Sequence, residues 1–169
     1  MLNLKTVQKD IEQWLADFVE IPHPALGGWA PCPYARQARL EQDFEVRLGL
    51  ALIHDLIKIS QQGLGGKSVV IFAYDSKYIT HEEFASALDT VNQKFLLPNN
   101  LIALEDHPGD PEVVNGVTMN QGTYALALVQ SLSDLNDKAQ LVARKGFYDT
   151  WPKDYLKLLF KHRKDPRQL

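Results

Sequence analysis

The chain has 169 residues, 45% of them hydrophobic and 23% charged, with a formal net charge of −3. Such a chain fits one globular domain spanning residues 1–169, able to bury about two-thirds of its unfolded surface without a staple. The negative balance argues against nucleic acid as the main partner, because phosphate binding needs a concentrated positive field; the single cysteine excludes an internal disulfide.

Residues 1–6 carry no basic stretch followed by an apolar core, so no signal peptide is expected. No apolar run approaches the ~20 residues of a membrane helix. The expected compartment is the cytoplasm, with no membrane contact.

Leu4, Val7, Ile11, Leu15 and Phe18 recur at three- and four-residue steps, which predicts a helix over 4–19 with Asn3 as its cap. Pro22 and Pro24 stop it. Residues 22–36 hold four prolines and the pair Gly27-Gly28, and read as a long loop. Residues 43–48 alternate and predict a strand. One long helix from 36 to 62 competes with it, since Leu40, Phe44 and Leu48 stand four apart. Residues 50–60 are apolar at helical spacing, and Gly63 to Gly66 break the chain. The run 68–74 is β-branched and aromatic, as in a central strand covered on both faces.

Thr80 and Glu83 form a capping box ahead of Phe84, Leu88, Val91 and Phe95 on one helical face. Residues 101–104 form a short strand, 107–122 a polar loop with Asn115-Gly116 as a turn, and 123–130 another strand. Ser131 and Asp134 form a second capping box for a helix ending near 145. Asp149 or Thr150 caps a last helix opening at Trp151-Pro152. The basic tail 161–169 reads as a solvated end. The predicted class is α+β or α/β, a mixed sheet of three to four strands covered by helices. The helix between strands 68–74 and 101–104 makes those two parallel, while 101–104 and 123–130 are expected as antiparallel neighbours.

The segment Gly63 to Ser68 mimics a phosphate loop. It carries Gln61 where glycine is required, and a strand follows where a helix must open. Cys32 is the stronger candidate. It sits in a Pro/Gly loop, not on an apolar face, and a helical turn over 33–36 would lower its pKa through backbone N–H groups, with Arg36 close in sequence. Trp29 and Tyr34 flank it. The segment Cys32-Pro33-Tyr34 also opens like a glutaredoxin site, but Ala35 replaces the second cysteine.

His107 follows Glu105 and Asp106 at a strand's C-terminal end, where sheet proteins place ligand chemistry. Imidazole there can serve as base or orient the thiol. Asn120, in the same loop, can orient a histidine or hold a ligand carbonyl. Glu105, Asp106 and His107 are also a candidate metal set, with His23, His54 and His81 as distant donors, yet no H-E-x-x-H or paired C-x-x-C spacing is present. The bland readings are that Cys32 packs as a small hydrophobe and that His107-Pro108 is a turn.

Trp14-Leu15, Phe18-Val19, Cys32-Pro33-Tyr34-Ala35, His107-Pro108 and the stretch 120–128 together resemble a family of small uncharacterised bacterial proteins. Its members carry a Trp-Leu helix, a Cys-Pro-Phe-Ala loop and a later His-Pro loop. This chain has Tyr34 for Phe and a longer stretch between Phe18 and Cys32. The resemblance implies that the two loops belong to one domain, and it implies no activity.

The expected function is a small enzyme with Cys32 as nucleophile or redox thiol and His107 as base, and with Trp29, Tyr34, Arg36, Asp106 and Asn120 around a small-molecule substrate. The alternatives are a non-catalytic domain binding a small molecule or a protein, and a metal-dependent enzyme using Glu105, Asp106 and His107. The sequence assigns no cofactor, oligomeric state or reaction class.

Overall fold

The structure is a computed structural model that describes residues 1–168. Its centre is a four-stranded mixed sheet in the order β1-β2-β6-β3, built from β1 (Phe44–Leu48), β2 (Val69–Tyr74), β3 (Leu101–Asp106) and β6 (Ala125–Ser131). A two-stranded hairpin, β4 (Val113–Val114) and β5 (Val117–Thr118), interrupts the loop after β3. The predicted mixed α/β class is therefore correct.

β1 pairs parallel with β2, which requires a crossover, and α3 (Leu52–Gln62) provides it. β6 lies antiparallel to both β2 and β3. β2 and β3 thus run the same way, as expected, but with β6 between them. Residues 44–48, with α2 (Ala35–Leu40) before them and α3 after, are not part of one long helix but form a strand. Asp43 closes its start by accepting from the Ser68 backbone N–H at 3.0 Å.

Strand alternation divides the core. Val70, Phe72, Tyr74, Ala103, Ala125, Ala127 and Val129 face α3 and α4 (His81–Val91). Val46, Ile71, Ala73 and Leu126 face Val7 and Ile11 of α1 (Leu4–Trp14). The Thr80–Glu83 capping box forms as predicted. Ser131 Oγ accepts from Asp134 N–H and caps α5 (Leu132–Arg144).

Two helices run on as single π turns, Leu15–Val19 after α1 and Asn92–Leu96 after α4. The wider turn shifts the phase of the apolar stripe. Phe95, predicted on the buried face, is 36% exposed, and Leu96 is fully buried in its place.

A third core gathers the ends of the molecule. Leu26, Val114, Ala139, Val142, Phe147, Tyr148, Trp151, Leu156 and Phe160 form it, with Trp29, Tyr34, Met119 and Tyr155 packed against it. The last helix, α6 (Lys153–Leu159), has Pro152 at its N-cap and no side-chain cap, so neither Asp149 nor Thr150 plays that role. The tail is not a solvated end. His162 Nε2 lies 2.8 Å from Asp89 Oδ1 on α4, Lys164 N–H donates to Asn136 Oδ1 on α5, and Pro166 is buried. Residue 169 of the expected tail lies outside the described residues.

Candidate functional site

The loop 22–36 begins with a short 3-10 turn, Pro24–Leu26, that buries Leu26. Gly27 ends that turn with φ +67°, a conformation that favours glycine, and faces Thr150. Trp29 stacks edge-on against Phe147, with ring centroids 5.6 Å apart. Tyr34 packs on the same core, its Oη donating to the Lys138 carbonyl at 3.4 Å, with Lys138 Nζ 5.2 Å from its ring centroid.

Cys32 is held by its backbone, N–H to the Val19 carbonyl at 3.1 Å, just before α2 (Ala35–Leu40). The predicted helical turn exists, and the N–H groups of Tyr34 and Ala35 favour the thiolate. Burial of the sulfur outweighs them and pushes the thiol pKa up, so Cys32 stays protonated near neutral pH. Arg36 is exposed and helps to depress Glu20, whose carboxylate is held down first by its bond to Arg39.

The loop 107–122 is organised by Asn120. Its Nδ2 donates to Asp106 Oδ1 at 3.0 Å and to the carbonyls of His107 and Asp110, each at 3.2 Å, while its Oδ1 accepts from Glu112 N–H at 2.7 Å. Asn120 thus holds the backbone of His107 and not its ring. The Asp106 side chain also accepts from Gln121 N–H at 2.9 Å. Burial raises the Asp106 pKa, and those two bonds oppose the shift.

His107 is buried, and both ring nitrogens are engaged. Nδ1 accepts from Gly109 N–H at 2.9 Å, which puts the proton on Nε2 for the Ile79 carbonyl at 2.8 Å. Phe84 packs 5.7 Å from the ring. Among the described residues no hydrogen bond joins Cys32 to His107, and their neighbours differ. Cys32 lies with Tyr34, Lys138 and Tyr148, and His107 with Ile79, Phe84 and His81. The predicted residues fall into two groups, one of Trp29, Cys32 and Tyr34, the other of Asp106, His107 and Asn120, with Arg36 in neither.

Glu105 and Asp106 are consecutive on β3 and so point to opposite faces. Among the described residues no group of three His, Cys, Asp or Glu could hold a metal ion. The expected Glu105, Asp106 and His107 set therefore does not converge.

Two features went unread in the sequence. Glu112 is half-buried, and Tyr155 Oη donates to its Oε2 at 3.1 Å. Burial is the larger influence and pushes the Glu112 carboxyl up to about 7, with Asp106, Glu105 and Asp110 adding to the rise. The second is Asn115. At φ 51°, it forms the β4–β5 turn with Gly116, and its Nδ2 donates to the carbonyls of Ala25 at 3.0 Å and Thr150 at 2.8 Å. The Asn-Gly pair signals the turn, but nothing in its spacing signals the bridge.

Comparison with protein-family models, curated proteins and solved structures finds no match to this chain. No helix among the described residues is long and apolar enough to cross a membrane.

Proposed function

We propose that the protein is a small-molecule binding domain, not a thiol enzyme, and that its site is built where loops 22–36 and 107–122 close on the segment 147–160. The observation that carries this reading is the pair of hydrogen bonds from the Asn115 amide to the carbonyls of Ala25 and Thr150, which ties three separate stretches of chain to one point. Long loops fixed in this way form a surface ordered before a ligand arrives, which lowers the entropy lost on binding.

The chemistry of the two sequence candidates supports the same reading. A thiol held in its protonated form is a poor nucleophile. An imidazole bonded to backbone at both nitrogens has no free position for a reacting proton.

The rate of iodoacetamide labelling as a function of pH tests this. Labelling of Cys32 is expected to be slow at neutral pH and to rise only above the ordinary thiol midpoint of about 8.5. Rapid labelling at pH 7 would overturn the reading and restore a thiolate mechanism.

A further inference from the structure

A cleft of about 450 Å³ opens between the end of α5, the segment after it and the start of α6. That volume falls within the range of roughly 300–1,000 Å³ typical of small-molecule sites. Its wall contains Tyr148, Trp151 and Leu156, which belong to the third core, and its rim carries Gln140, Arg144, Lys153 and Arg167.

Charge is unevenly distributed in this protein. Eight of the 18 Lys and Arg fall between Arg144 and Arg167, against three of the 21 Asp and Glu. A positive stretch in a chain of net charge −3 needs an explanation. Part of it is local. Arg167 is bonded to Asp165 through Nε at 2.9 Å, and Arg144 sits in the last turn of α5, where the helix dipole favours a cation. Asp149, also on the rim, offsets one charge. Arg144 and Lys153 nevertheless have no carboxylate within ion-pair distance among the described residues. With Asp149 set against them, Arg144 and Lys153 leave a net positive field at the mouth of a cleft with an aromatic wall. Trp151 Nε1 is buried in that region with no hydrogen-bond partner among the described residues, so the protein alone leaves a donor unmet there.

We propose that this cleft binds an oxyanion, phosphate or carboxylate, carried on a flat apolar body. Arg144 and Lys153 hold the charge, and the body rests along Tyr148 and Trp151. The inference rests on the binding-domain reading above but moves the ligand to a cleft that shares the segment 147–160 with that site and takes no residue from loops 22–36 and 107–122. Slow labelling of Cys32 together with failure of the titration below would retire the ligand class and leave the binding reading intact.

The test follows the three indole N–H signals of the 15N-labelled protein by NMR, with Trp151 assigned from Trp151→Phe. The probes are phenyl phosphate, benzoate, inorganic phosphate and benzyl alcohol. Phenyl phosphate or benzoate is expected to move the Trp151 signal saturably, with inorganic phosphate weaker and benzyl alcohol inert. The stronger of the first two identifies the source of the oxyanion. The double substitution R144Q/K153Q is expected to weaken binding about tenfold or more, as loss of two charge-assisted contacts implies. K157Q/K161Q, which removes two charges from the same region outside the cleft, leaves it unchanged. No movement with any charged probe overturns the proposal, as does equal movement with benzyl alcohol. Equal weakening by both double substitutions also overturns it, since it would reduce the effect to a diffuse field.

Discussion

Tyr155 Oη donates to Glu112 Oε2 across 3.1 Å, joining α6 to the loop after β3 at a carboxyl whose pKa burial raises to about 7. A carboxyl raised above its ordinary 4.5 is penalised when ionised in the folded state. The stability linked to it is fully present below the unfolded pKa and is lost as pH rises through about 7. Glu112→Gln keeps an acceptor for Tyr155 and removes the charge. The variant is expected to match the parent at pH 4.5 and to exceed it at pH 8 by about 1–3 kcal/mol in urea unfolding. An equal difference at both pH values would show that the carboxyl ionises freely in the fold.

Asn92 answers a problem created by strand order. β3 is an edge strand, and its outer backbone groups face no other strand. Asn92, buried on the π turn after α4, donates from Nδ2 to the Ala103 carbonyl at 2.9 Å and accepts from Ala103 N–H at 2.8 Å. Its amide thus replaces a missing strand at one residue. Asn92→Ala leaves both backbone groups buried and unpaired, and is expected to cost about 2–4 kcal/mol. Hydrogen exchange at Ala103 N–H, read beside urea unfolding, checks the cause: exchange there should quicken more than at β2 amides. Unchanged relative exchange would point to a global effect of packing instead.

The same pair shows what the sequence could convey. Periodicity revealed the four strands of the main sheet, the longer helices and the Thr80 capping box, because those depend on neighbours three, four or two residues away; the β4–β5 hairpin and α2 are too short to show a period. The strands expected at 101–104 and 123–130 do pair antiparallel, as 101–106 with 126–131. Asn92 to Ala103, Glu112 to Tyr155 and Asn115 to Ala25 depend on where distant segments meet, and no local pattern encodes that. The π turns were illegible for a related reason. One extra residue in a turn leaves composition unchanged but rotates everything after it, which is why Phe95 surfaced. Cys32 and His107 were rightly placed in loops. Their pairing rested on residue type alone, and the packing around each sulfur and nitrogen, which decides reactivity, was not written in the spacing.

Gly49 is required by a close approach. A Cβ there would lie 2.0 Å from Tyr74 Cε1. The ring has little room to yield, since Tyr74 is buried and its Oη donates to Asp55 Oδ2 at 2.9 Å. The same carboxylate accepts from the N–H groups of Leu50 and Ala51 and so anchors the start of α3. Gly49→Ala is expected to destabilise the fold by about 1–3 kcal/mol or more, as overpacking does. Adding Tyr74→Phe should recover little, because it frees the ring tip but not the ring edge. Thermal unfolding of the three proteins decides it, and a neutral Gly49→Ala would mean that the ring moves at no cost.

Asn115 does two jobs that substitution can separate. Its φ of 51° suits the two-residue turn between β4 and β5, and its amide bridges Ala25 and Thr150. Asn115→Gly keeps the backbone conformation and removes only the bridge. Asn115→Ala removes the bridge and adds strain at positive φ. The glycine variant is expected to lose about 1–2 kcal/mol for two hydrogen bonds at an exposed site, and the alanine variant about 1 kcal/mol more. Because the bridge holds loop 22–36, proteolysis there should accelerate in both variants while cleavage near the Asn99–Asn100 turn stays constant. Equal resistance of loop 22–36 in parent and glycine variant would show that Leu26 and Trp29, packed in the third core, fix the loop without the amide.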